Sequence, residues 1–196
     1  VTGQASSRVR GSPRDRYGCP PEPGRSTRSC AGTWPRRRHA DTSDLEWSTT
    51  ENGDTEFNRK EVGAAAGGDQ LGCSLYEIPA GKRSWLYYYH TANEEALFVL
   101  SGAGTVRCDG EEARISEGDY LNFPADEAGA HRVINDSEGP LRYLMVSTMT
   151  EPDVTIYPDS GKFGVYVGSP PGGREERDLE GYYEQDATTG YWDEKA

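Results

Sequence analysis

The chain is 196 residues long, 34% hydrophobic, with a net charge of −12 that divides into +7 over residues 1–40 and −19 over residues 41–196. The acidic part is long enough for one β-rich domain with a modest core and too short for two. No apolar run approaches the length of a membrane span, and so large an acid excess works against binding a polyanion such as nucleic acid.

Residues 1–42 form a leader rich in Arg, Ser, Gly and Pro, with nine Arg and no Lys before residue 41. It has almost no aliphatic periodicity, buries too little apolar surface to offset the entropy of ordering, and is expected to be disordered. Arg36, Arg37 and Arg38 suggest a twin-arginine signal, but polar residues follow them instead of an apolar stretch, so export is not expected. Two readings of the leader stay open: an Arg-rich arm, and a stretch translated ahead of the true domain. In the body, Lys is limited to Lys60, Lys82, Lys162 and Lys195, and the acids are spread throughout. At about 1 M salt the Debye length is about 3 Å and such a surface is screened, which points to a salt-adapted protein. Cys73 and Cys108 stand singly without C-x-x-C spacing, in keeping with a reducing, cytoplasmic setting.

Short runs of β-branched and aromatic residues predict strands over 75–78, 85–90, 96–100, 105–108, 113–115, 120–123, 131–134, 141–148, 154–157 and 163–167. Turn residues separate them: Ser101-Gly102, Asp109-Gly110, the cluster 116–119 and the breaker 136–140. No segment of helical period lasts beyond a turn or two. Strands at such intervals imply an all-β sandwich or barrel. After Val167 the breaker 169–173 leads into a charged stretch and two aromatic pairs, Tyr182-Tyr183 and Tyr191-Trp192, which read as a C-terminal arm packed outside the barrel or across a dimer.

Two stretches carry the chemistry. Residues 81–102 place Tyr88, then His90, then Glu95 after four intervening residues, then Gly102 after six more. Residues 118–135 place Gly118, Pro124, His131 and Asn135, so two of the three histidines fall in these stretches. The pair resembles the two motifs of the cupin superfamily, G-x5-H-x-H-x3/4-E-x6-G and G-x5-P-x-G-x2-H-x3-N. Tyr88 stands where the family has its first histidine; the second motif is two residues longer and has Asp126 where glycine is usual. The resemblance extends more loosely to about residue 167, towards small single-domain cupins of salt-adapted microbes.

This resemblance implies a double-stranded β-helix, a jelly-roll barrel over residues 43–168, with residues 169–196 as the arm. It implies a divalent metal (Fe, Mn, Ni or Zn) held by His90, Glu95 and His131. Glu94 is set aside because only Glu95 keeps the spacing to Gly102. If His90 points inward, strand alternation sends Leu86 and Tyr88 inward with it and Trp85, Tyr87 and Tyr89 outward, where they need cover and suggest a homodimer. Glu95, Leu97 and Val99 share the inward face of the next strand. Two neutral imidazoles and one carboxylate leave coordination positions open for water or substrate. For Tyr88 three roles remain open: a phenolate ligand, a catalytic or ligand-contacting hydroxyl, or a filler of the space the missing imidazole leaves. A metal-dependent oxygenase or isomerase acting on a small polar molecule is the first functional reading. A non-catalytic small-molecule binder or sensor without metal is the alternative. No nucleotide loop, DNA-binding motif or catalytic Ser or Cys set is present.

Overall fold

A computed structural model describes residues 38–173 and 176–193. Nearly all regular structure in it is antiparallel β. The strands are β1 (Ser48–Asn52), β2 (Thr55–Lys60), β3 (Leu71–Ile78), β4 (Tyr89–His90), β5 (Glu95–Ser101), β6 (Ala103–Cys108), β7 (Glu111–Ser116), β8 (Tyr120–Phe123), β9 (His131–Ile134), β10 (Leu141–Thr148), β11 (Asp153–Tyr157), β12 (Lys162–Val167) and β13 (Leu179–Glu184). One sheet runs β1-β2-β3-β10-β5-β8; the facing layer consists of β13-β12-β11-β4 and β7-β6-β9. A bridge between Tyr88 and His131 joins the two halves of that second layer. Among the described residues no helix is long and apolar enough to cross a membrane.

Alternation along the strands fills the space between the layers. Ile78, Leu97, Val99, Leu141 and Tyr143 enter from the first layer, Val106, Ile115 and Val133 from the second, and all are buried in one cluster. Burial of side chains of this size contributes about 1.5–3 kcal/mol each, and that closes the jelly-roll barrel. β6 and β7 are joined by the two-residue turn Asp109-Gly110, where both residues have positive φ (48° and 77°). This is the backbone a two-residue hairpin requires, and it pairs Cys108 with Glu111.

The structure corrects several expectations. Residues 85–88 are irregular, and only Tyr89–His90 of the predicted strand 85–90 is β. Alternation therefore fails there. Leu86, expected inside, is 52% exposed, and Tyr87, expected outside, is 6% exposed. Arg107 lies 3.9 Å over the Tyr87 ring and the Gly110 N–H donates to its hydroxyl. Tyr87 is thus covered by its own chain and lends no support to a homodimer. Trp85 donates to the Tyr76 hydroxyl at 3.1 Å.

Three strands went unpredicted. The hairpin β1–β2 is largely polar, and β13 lies in the C-terminal arm, where it pairs along the whole of β12. The arm thus enters the sheet, while Tyr191 and Trp192 stay 89% and 86% exposed, with their rings 4.7 Å apart. The expected disorder of the leader lies, over residues 1–37, outside the described residues. Thr42–Asp44 forms a single 3₁₀ turn, and its Thr42 carbonyl accepts from Lys60 Nζ at 2.7 Å.

Candidate metal centre

Three segments bring the expected residues together. His90 closes β4, which pairs with β11 so that Thr155 lies opposite His90. Glu95 opens β5 opposite Phe123 of β8. His131 opens β9 and exchanges both backbone hydrogen bonds with Tyr88. All three side chains are buried, at 7%, 7% and 2% exposure, whereas Glu94 is exposed. Alternation explains the glutamates: Glu95 shares its face with Leu97 and Val99, and Glu94 precedes the strand.

Each imidazole has one nitrogen engaged and the other turned to the carboxylate. His90 Nδ1 lies 2.5 Å from Asp153 Oδ2 and 3.1 Å from Thr155 Oγ1. His131 Nδ1 lies 2.9 Å from the Gly129 carbonyl. A carbonyl oxygen only accepts, so His131 carries its proton on Nδ1 and keeps the Nε2 lone pair. The two Nε2 atoms stand 3.5 Å (His90) and 3.6 Å (His131) from Glu95 Oε2. His131 Nε2 is buried and has no hydrogen-bond partner. Tyr88 donates its hydroxyl to the same Oε2 at 2.9 Å. Among the described residues no three or more His, Cys, Asp or Glu side chains are drawn together as a ready-made metal set; these donors stand at ion-pair spacing instead.

The electrostatics separate the two rings. Burial alone would lower His90, but the Asp153 hydrogen bond and the charges of Glu95 and Asp153 outweigh it and raise the imidazole above its usual value. Burial holds His131 below its usual value, and Glu95 offsets only part of that. Burial and then the Glu95 charge push the Tyr88 phenol well above its usual value. In the metal-free site Tyr88 is therefore a neutral donor.

The longer second motif has a local explanation. Asp126, in place of glycine, accepts from Ala128 N at 2.9 Å and starts a 3₁₀ turn at Glu127–Gly129. Gly129 ends it, and a Cβ there would fall 1.9 Å from the Pro124 carbonyl. That turn aims the Gly129 carbonyl at His131. Asn135, fully buried, donates to the carbonyls of Ile78 and Gly139, fastening the end of the second motif beside the start of the first. Residues 74–147, which hold both motifs, match the family model of the cupin domain.

The chain carries a cupin domain. No curated protein matches the chain. Among solved structures, the cupin is similar to a putative sugar phosphate isomerase from Acidithiobacillus ferrooxidans, with 26% identity over 79% of this chain and 97% of that one and a TM-score of 0.67. A sugar phosphate isomerase of the cupin superfamily from Silicibacter pomeroyi shares its fold, with 23% identity over 76% and 94% of the two chains and a TM-score of 0.65.

His90, Glu95 and Tyr88 of this cupin face a cavity of about 790 Å³, and His131 lies behind them with its ring stacked 3.7 Å from Phe123. Sequence reasoning missed Asp153, which orients His90. The available signal was the inward alternation of Asp153 with Thr155 at the start of a strand. It also missed Tyr157, Tyr166, Arg177 and Tyr182 on the cavity wall. The last two belong to the C-terminal arm, which shapes the cavity as well as extending the sheet.

Proposed function

We propose that this cupin holds a divalent cation (Fe, Mn, Ni or Zn) on His90 Nε2, Glu95 and His131 Nε2, and acts as an isomerase-class enzyme on a small polar, carbonyl-bearing molecule. The observation that carries the reading is the buried, unpartnered Nε2 of His131. A buried acceptor without a partner costs about 1–3 kcal/mol, and a second imidazole and a carboxylate face the same spot. Two donors each about 2.1 Å from one cation at a tetrahedral angle stand about 3.4 Å apart, close to the 3.5 and 3.6 Å seen here. Both Nδ1 atoms are held by oxygen acceptors, the usual support for a ligating histidine.

When bound, the cation would supply a Lewis acid that polarises a carbonyl oxygen. The chain's own residues do the rest. Asp153 and the Gly129 carbonyl fix the tautomers, keeping both Nε2 lone pairs aimed at the site. Tyr88 steadies Glu95 with its O–H and leaves its oxygen free to accept from a ligand hydroxyl entering the cavity. Trp85, Tyr157 and Tyr166 give the cavity an aromatic wall. The choice of isomerase over oxygenase is supported by the similarity to the Acidithiobacillus protein.

One observation favours a metal-free binder instead: carboxylates stand on both sides of the His90 ring, Asp153 at Nδ1 and Glu95 at Nε2, and favour its protonated form. Titration of the wild type, Glu95→Gln and His131→Ala with Mn(II), Ni(II) and Zn(II) separates the two. We expect one ion per wild-type chain and at least a tenfold loss in each variant. Equal affinities in all three proteins would leave the metal-free binder.

A further inference from the structure

Three arginines meet on the outer face of the second layer, within a body of strongly negative charge. Arg107 of β6 stands directly opposite Arg132 of β9. Arg83 bridges to Ile134, two residues beyond Arg132 and on the same face, turned away from His131 and Val133. Directly opposed residues in an antiparallel pair have Cα atoms about 4.5–5.5 Å apart, and like charges placed so destabilise the ladder.

Two of the three charges are matched. Arg107 forms a two-point pair with Asp159 at 2.6 and 3.0 Å, and Arg83 pairs with Asp54. Arg132 is different. Its Nη2 donates only to the neutral hydroxyl of Thr55 at 3.3 Å, and its Nε is buried without an acceptor. Among the described residues no carboxylate pairs with it. Burial first, and then the charges of Arg83 and Arg107, work against the charge it carries, and the more distant charges of Asp159 and Asp54 offset only part of that.

We propose that this triad is a binding site for a small oxyanion, a phosphate or sulfate group, seated on Arg132 with Arg83 and Arg107 on either side. A guanidinium presents a planar fork of donors that matches such oxygens two at a time. An anion there relieves the repulsion between Arg107 and Arg132. With Asp54 and Asp159 in place the triad keeps one net positive charge. That suits one compact anion and not a nucleic-acid backbone, which needs several phosphate contacts. The site lies outside the barrel and is independent of the metal reading.

The test is calorimetric titration of the full chain with inorganic phosphate and with sulfate, at ionic strength held constant with chloride. The variants are Arg132→Gln and, as a control of equal charge change, Arg142→Gln, whose partner Glu77 lies on the other sheet. We expect phosphate and sulfate to bind wild type and Arg142→Gln alike, and at least tenfold more weakly to Arg132→Gln. No anion binding by the wild type would overturn the proposal. So would undiminished binding by Arg132→Gln, which would place the anion elsewhere, in the cavity for example. Equal losses in the two variants would reduce the effect to net charge and overturn it too.

Discussion

Asp153→Asn is the substitution whose outcome the geometry constrains most. Asp153 is 1% exposed; its Oδ2 takes His90 Nδ1 at 2.5 Å and its Oδ1 takes the Ala92 N–H at 3.0 Å. An amide has only one acceptor oxygen for these two donors. If that oxygen faces Ala92, the NH₂ meets His90 Nδ1 and drives the ring proton to Nε2, which removes the lone pair aimed at Glu95. If it faces His90, two donors collide at Ala92. Loss of a hydrogen bond to a charged group costs about 1.5–3 kcal/mol, and loss of such a supporting carboxylate lowers metal affinity by about 10- to 100-fold.

The same variant changes the pH response of the metal-free protein. His90 is raised in the fold, so its contribution is complete below the unfolded value near 6.5 and is lost as pH rises through the folded value. His131 is lowered, so it costs stability as pH falls below about 6.5. In the wild type the two oppose each other. Without Asp153, burial lowers His90 as well, and melting temperature should climb between pH 5.5 and 7.5 more steeply than in the wild type. Chelator-competition titration and thermal melts across that range measure both effects. Affinity within twofold of wild type, together with an unchanged pH slope, would refute the reasoning.

Gly129→Ala should destabilise the fold by about 1–3 kcal/mol, because the new methyl falls on the Pro124 carbonyl. Urea denaturation measures the loss, and metal affinity should fall with it as the carbonyl that holds His131 Nδ1 shifts. Tyr88→His restores the family's first histidine at a position whose hydroxyl already reaches Glu95. Metal binding should tighten by about tenfold, worth about 1.4 kcal/mol; isothermal titration that shows no gain would mean that Tyr88 does not occupy a ligand position.

Much of the barrel was legible because its inner strands alternate cleanly. The expected strands 120–123, 131–134 and 141–148 coincide with β8, β9 and β10. The residues that fill those faces are large and apolar, so period and burial agree. Period failed over 85–88, where isolated bridges at Arg83 and Tyr88 replace a ladder and the chain turns Tyr87 inward. It failed again at β1 and β13, where exposed edge strands need no apolar face, and at β2, whose one large apolar residue, Phe57, stands among polar neighbours and leaves little pattern to read. At the site, spacing identified His90, Glu95 and His131 as candidates and alternation separated Glu95 from Glu94. Asp153 could not be paired with His90 from sequence, because 63 residues separate them and only the β4–β11 pairing brings them together.

Whether His90, Glu95 and His131 share one cation is tested most directly by X-ray absorption at the metal edge of Ni(II)- or Zn(II)-loaded protein. Two imidazole nitrogens should scatter in the wild type and one in His131→Ala or His90→Ala. A spectrum without imidazole scattering, or one unchanged by either substitution, would contradict a shared site.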